Sequence, residues 1–197
     1  MLNLVLFGAP GSGKGTQSEK LIDRYGLHHI STGEVLRKHI KEGSELGKTA
    51  DSFISKGQLI PDQLMIDILR AELEKIIADT KGVIFDGFPR TIPQAEALET
   101  MLAELGAELG GVVGLEVPEE ELVERMIQRG KQTGRADDNL ETINNRLKVY
   151  HAQTEPLKHH YIGKGKYMQV NGQGSIDDIF ADIANQIETR TGMAGAK

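Results

Sequence analysis

Short apolar runs alternate along the chain with longer segments whose apolar positions recur every three or four residues. The runs are Leu2–Phe7, His28–Ser31, Gly82–Asp86, Gly111–Val117 and Lys166–Val170, the second being the weakest. Three of them are apolar at nearly every position, as strands covered on both faces are. Strands alternating with helical patterns predict an α/β fold with a parallel sheet flanked by helices. The helix starts are legible. Ser31-Thr32-Gly33-Glu34 has the spacing of a capping box, and Pro61, Pro93 and Pro118 stand where first helical turns begin. Ser175 opens a last helix with an apolar stripe of Ile176, Ile179, Phe180, Ile183 and Ile187. A long polar helix is expected from Asp138 to about His160, bent near Pro156, and the tail Met193–Lys197 is expected to be disordered.

Two stretches break the alternation. Thr32–Ile60 reads as two short helices with no strand between them, which predicts an inserted helical lobe over residues 32–61. Arg129–Asp138 is polar, glycine-bearing and strandless, and reads as a short loop exposed over a site. There is no internal repeat and no long linker, so the 197 residues are expected to form one domain with these two additions.

Composition narrows the function. The net charge of −6 argues against broad binding to nucleic acid or to an anionic membrane. No apolar stretch approaches the roughly 20 residues that span a bilayer, and no basic region precedes Leu2–Phe7, so a cytoplasmic protein is expected. The chain has no cysteine, which removes disulfides and Cys-ligated zinc. His28–His29 and His159–His160 lack metal-site spacing and read as surface or packing residues. Tyr150 and His151 have no evident nucleophile to serve, and no Ser-His-Asp arrangement is present.

The chemistry begins at Gly8-Ala-Pro-Gly-Ser-Gly-Lys-Gly-Thr16, between a predicted strand and a predicted helix. Gly8, Gly13 and Lys14 match the general phosphate-loop pattern. Glycines let the backbone wrap closely around phosphate, the following helix adds its positive end, and Lys14 supplies a mobile charge for the β- and γ-phosphates. Gly11, Ser12, Gly13, Lys14, Gly15 and Thr16 are therefore candidate residues for binding the phosphates of a nucleotide. Where a hydroxyl ordinarily follows the lysine to meet Mg²⁺, this chain has Gly15, and the hydroxyl comes at Thr16. Mg²⁺ is then held more through nucleotide and water, with Thr16 and the strand-end carboxylate Asp86 nearby.

Six of the nine arginines lie in segments that can converge on phosphate: Arg37, Arg90, Arg125, Arg129, Arg135 and Arg146. The guanidinium fork donates paired hydrogen bonds to phosphate and keeps its charge. Two reacting polyphosphates in one cleft need such a set of fixed cations.

Gly8–Thr16, Ser31-Thr32-Gly33 with Leu36-Arg37, Asp86-Gly87-Phe88-Pro89-Arg90-Thr91 with Gln94, and Gly134-Arg135-Ala136-Asp137-Asp138 closely resemble the ordered motifs of adenylate kinases. The likeness runs from Leu2 to about Ile187. It implies a three-layer P-loop kinase fold with a five-stranded parallel sheet in the order 2-3-1-4-5, and reversible, Mg²⁺-dependent phosphoryl transfer from ATP to AMP giving two ADP. It also implies a monomer. By resemblance Thr32, Arg37, Ile54, Ile60, Gly87, Arg90 and Gln94 hold AMP, with Gln94 reading the adenine edge. Lys14, Arg125, Arg129, Arg135 and Arg146 clamp the phosphates, with Arg129 and Gly174 on the ATP side and Arg135 and Arg146 reaching AMP. With only five residues between Arg129 and Arg135, the chain resembles the short-lid form, and structural zinc is not expected. A UMP/CMP kinase shares most of these motifs, but Thr91 and Gln94 favour AMP. A nucleotide-dependent switch is a further alternative, one that leaves Arg37, Arg90 and Gln94 without a second nucleotide.

Overall fold

The computed structural model describes residues 1–192; the tail expected to be disordered lies outside them. In chain order the elements are β1 (Leu4–Phe7), α1 (Lys14–Tyr25), β2 (His28–Ser31), α2 (Thr32–Glu42), α3 (Glu45–Ile54), α4 (Asp62–Ile76), β3 (Val83–Asp86), α5 (Ile92–Glu104), β4 (Gly111–Glu116), α6 (Glu119–Thr133), α7 (Leu140–Val149), α8 (Pro156–Gly163), β5 (Tyr167–Asn171) and α9 (Ile176–Thr191). The strands form one sheet in the order β2-β3-β1-β4-β5, and every neighbouring pair is parallel.

Strand alternation builds the two core layers. Val5, Phe7, Val83, Phe85 and Val112 face α4, α5 and α8, where Leu69, Leu73, Leu98, Leu102 and Tyr161 are buried. Leu4, Leu6, Ile84, Val113 and Leu115 face the opposite layer, packing on Leu21 of α1 and Ile179, Ile183 and Ile187 of α9. A satellite core of Ala9, Leu122, Met126, Ile143 and Leu147 ties α6 and α7 to the end of β1. Because all five strands run the same way, their carboxyl ends share one edge. The pairings Leu6–Asp86 and Ser31–Asp86 bring the ends of β1, β2 and β3 level there.

Between β2 and α4 no strand intervenes, only α2 and α3. They cross so closely that a Cβ on Gly47 would lie 2.0 Å from the His39 carbonyl oxygen. Two boundaries differ from the sequence reading. Helix α6 runs to Thr133, taking in the first five residues of the stretch read as a loop, because the left-handed residue that ends it is Gly134 (φ 68°) rather than Gly130. The long polar helix is divided. A π-helical turn at Tyr150–Thr154, with the Glu155 N–H donating to the Tyr150 carbonyl at 2.8 Å, separates α7 from α8. The cause is Pro156, which has no N–H to continue the ladder.

Leu69 is fully buried at the centre of the α4 layer. Leu69→Ala should lower unfolding free energy by about 2–5 kcal/mol, read as a shifted urea midpoint at unchanged slope.

Candidate active site

The sheet's carboxyl edge opens into a cleft of about 970 Å³. Its floor is the loop from Gly8 to Thr16. Gly8 passes so close to its surroundings that a Cβ there would lie 2.7 Å from Ser12 Oγ and 2.8 Å from the Leu115 carbonyl. Gly13 precedes α1 in the left-handed region (φ 95°) and offers no capping side chain, so the first N–H groups of α1 stay free for an anion. Lys14 curls back over the loop, its Nζ donating to the carbonyls of Gly8 (2.8 Å) and Ala9 (3.0 Å). Burial, with Arg90, Arg146 and Arg129 nearby, lowers this ammonium to about 8, against the opposing pull of Asp86. Gly15 and Thr16 stand exposed on the cleft wall.

Asp86 ends β3 facing the same space. Burial pushes its carboxyl up, but His29 at 3.7 Å and the Lys14 charge outweigh that and hold it below the usual range. His29, read from sequence as a surface or packing residue, thus stands beside a site carboxylate. Among the described residues no group of three or more His, Asp or Glu side chains is placed to hold a metal.

Beyond Asp86 the chain turns through Gly87 (φ 79°), where a Cβ would lie 2.8 Å from Thr32 Oγ1. Thr32 Oγ1 donates to the Gly87 carbonyl at 3.0 Å, and Arg90 Nε donates to it at 2.8 Å. The Phe88–Pro89 peptide is cis. Neither Arg37 nor Arg90 has an ion-pair partner among the described residues. Burial, then neighbouring arginine charge, lowers both guanidinium groups, Arg90 to about 10. Ile54, Ile60, Leu36 and Met65 line the wall above them, and Gln94, largely buried, lines it too.

The remaining arginines are treated differently. Arg129 makes a bidentate pair with Asp138 (2.6 and 2.7 Å), and Arg135 makes one with Asp137 (2.8 and 3.1 Å). Arg146 Nη1 sits between them, 2.9 Å from Asp138 and 3.1 Å from Asp137. The Asp138 side chain is 0% exposed. Arg125 pairs with Glu121 and donates to the Gly172 carbonyl at 2.9 Å, beside the Gly174 turn.

Every candidate residue from the sequence, from Gly11 through Arg146 to Gly174, lines this one cleft. The sequence reading missed the counter-ions. Asp137 and Asp138 stood inside a quoted motif, but only folding shows that they hold three arginines. It also left Tyr150 aside, although that ring lines the cleft and packs 6.1 Å from Phe7.

A family model described as adenylate kinase matches residues 6–166, from β1 to the threshold of β5. The chain belongs to the adenylate kinase family. Among the relatives named adenylate kinase, that of Bacteroides thetaiotaomicron is 61% identical over 188 residues, covering 95% of this chain and 99% of the relative. That of Bacteroides fragilis is 60% identical over 189 residues, covering 96% of this chain and all of the relative. The Porphyromonas gingivalis protein is 55% identical over 184 residues, 93% of this chain and 94% of the relative. Adenylate kinases are phosphotransferases, and the five-stranded sheet order found here is that of the P-loop kinase fold. No helix among the described residues is long and apolar enough to cross a membrane.

The Asp137 pairing sets an acid limit on the protein. Burial alone would raise its carboxyl, but the Arg135 hydrogen bonds and the Arg146 charge prevail and hold it at about 2 against an unfolded value of 3.8. A depressed carboxylate stabilises the fold fully above the unfolded value. Its contribution, about 2 kcal/mol, is lost as pH falls from about 4 to about 2. Urea titrations should show this loss in the parent protein, and Asp137→Asn should flatten that part of the profile.

Proposed function

We propose that the chain transfers the γ-phosphoryl group of ATP to AMP, reversibly, giving two ADP. The observation that carries this reading is a single cleft with two differently built cationic ends. One end is the Gly8–Thr16 loop with Lys14. The other is Arg37 and Arg90, which have no ion-pair partner among the described residues, beside Gln94. One polyphosphate explains the first end, and a second phosphate-bearing nucleotide is needed to explain the other.

In this reading ATP lies on Gly11, Ser12, Gly13, Lys14, Gly15 and Thr16, with Arg129 at its phosphates and the Gly174 turn toward its adenine. AMP lies under residues 32–61, its phosphate on Arg37 and Arg90 and its base against Ile54, Ile60 and Gln94, with Thr32 and Gly87 beneath. Arg125, Arg129, Arg135 and Arg146 join Lys14 around the transferring group. An α-phosphate oxygen of AMP attacks the γ-phosphorus in line. The new O–P bond forms as the bond to the β-phosphate oxygen breaks, and ADP leaves on each side. No proton need be abstracted, so positioning and charge supply the catalysis. Asp137 and Asp138 keep Arg129, Arg135 and Arg146 aimed before substrate arrives. Mg²⁺, held through nucleotide and water, suits the nearby low carboxyl of Asp86 and the exposed Thr16 hydroxyl, and when bound would neutralise phosphate charge. Closure of the 32–61 lobe and the 129–138 segment would exclude water from the reaction. By resemblance to its family the chain acts as a cytoplasmic monomer on nucleotides, and the net charge of −6 disfavours nucleic acid or an anionic membrane as a partner.

The UMP/CMP reading is disfavoured by Gln94, whose donor–acceptor edge complements adenine. The switch reading would require ATP consumption without AMP. In a coupled assay ATP loss should depend strictly on AMP, with UMP, CMP and GMP poor acceptors; an AMP-independent rate of similar size would overturn the proposal. Lys14→Ala or Arg90→Ala should each cut kcat/KM by roughly 10²-fold or more at unchanged fold. Phosphate needs the charged form of Lys14, which sits at about 8 in the free protein. Apparent ATP affinity should thus hold below pH 8 and fall about tenfold per pH unit above it, until the complex's own raised value is reached.

A further inference from the structure

The base-facing amide of Gln94 is held from both sides by groups with fixed hydrogen-bonding character. Its Oε1 accepts from the backbone N–H of Arg90 at 2.8 Å, and its Nε2 donates to Asp62 Oδ1 at 2.8 Å. A backbone N–H only donates, and an ionised carboxylate only accepts. The amide therefore has one orientation. Turning it over would set N–H against N–H at Arg90 and oxygen against carboxylate at Asp62. The same Oδ1 also accepts from Thr91 Oγ1 at 2.8 Å, which anchors the carboxylate between the starts of α4 and α5. Gln94 is 2% exposed and lines the cleft, whereas Asp62 is set behind it and does not.

We propose that Asp62 is a positioning residue for base selection: by fixing the Gln94 amide, it makes the acceptor site read a 6-aminopurine and reject a 6-oxopurine. The inference rests on the reading of this end of the cleft as the monophosphate acceptor site. Once Arg90 and Asp62 have taken their shares, Gln94 keeps one N–H and one oxygen lone pair. Adenine presents an amino N–H beside a ring nitrogen acceptor, the complement of that pair. Hypoxanthine, of nearly the same shape, presents a carbonyl oxygen beside a ring N–H. It would be matched only by a Gln94 amide turned over. Selectivity between the two bases is then set by what turning the amide costs, and that cost is built into Asp62 and the Arg90 N–H rather than into Gln94 itself.

The test compares kcat and KM for AMP and for inosine monophosphate, with ATP–Mg²⁺ as donor, in the parent protein and in Asp62→Ala and Asp62→Asn. Removing a hydrogen bond to a charged group should reduce the AMP-to-inosinate ratio of kcat/KM about tenfold in Asp62→Ala. The change should appear in KM, with kcat at saturating AMP within about twofold of the parent. Asp62→Asn keeps an Oδ1 acceptor for Gln94 and Thr91 and should retain most of the ratio. A purely structural role for Asp62 would lower thermal stability and leave the ratio in place, and that result overturns the proposal, as would equal losses of the ratio in both variants. Should Asp62→Ala fail to fold, Asp62→Ser, which keeps a helix-starting hydroxyl too short to reach Gln94, is read by the same criterion. Parent protein that forms no ADP from ATP and AMP would overturn the functional reading and this inference together. An active parent with an unmoved ratio would overturn this inference alone.

Discussion

Like charges at close range are the constraint around which this molecule is organised. Lys14, Arg90, Arg129, Arg135 and Arg146 all face one cleft, and unit charges roughly 5 Å apart in a partly buried setting repel by a few kcal/mol. The fold meets this cost with two adjacent carboxylates. Asp138, its side chain wholly buried, is shared by Arg129 and Arg146, while Asp137 takes Arg135 and the flank of Arg146. Their placement depends on small details of the segment between α6 and α7. Gly130 admits the chain so closely that a Cβ there would meet the Asp138 carbonyl oxygen at 2.9 Å. Asn139 then caps α7, its side chain accepting from the Thr142 N–H at 3.0 Å, which fixes where α7 begins and hence where Arg146 points.

The compensation is selective. Among the described residues Arg37, Arg90 and Lys14 make no ion pair, and burial first, with the repulsion of neighbouring arginines second, holds their pKa values low. A phosphate bound among them relieves that repulsion without breaking any ion pair. The other three arginines are held in position by carboxylates and need only share part of their charge outward. On the proposed reading one set of cations favours binding and the other supplies fixed geometry, the division that phosphoryl transfer requires.

How much of this could be read from the chain follows from whether the governing interaction is local. The apolar runs of β1, β3 and β4 are self-evident because both faces of each strand are covered. The glycine loop declares itself because backbone approach to phosphate admits few other residues. Arg37, Arg90 and Gln94 were legible through motifs. Helix ends were harder: Gly130 and Gly134 are equal as letters, and only the contact with Asp138 distinguishes a glycine required for closeness from one required for a left-handed turn. The counter-ion role of Asp137 and Asp138 was hidden because it joins residues from α6, the connecting segment and α7 in space. For the same reason His29 looked unremarkable until the register of β2 on β3 set it against Asp86.

The loop's one departure from the general phosphate-binding pattern can be understood in these terms. At Gly15 no neighbouring protein atom lies within 4 Å of where a Cβ would begin, and its φ is not in the left-handed region. Neither sterics nor backbone conformation therefore demands glycine at this position, in contrast to Gly8 and Gly13. The demand comes from the cleft itself. On the proposed reading the space beside Gly15 belongs to the donor phosphates and their hydrated metal, and the hydroxyl that would otherwise occupy it is moved to Thr16. A Cβ at Gly15 would meet no protein atom within 4 Å, so on the proposed reading the residue is set by the reaction rather than by the structure.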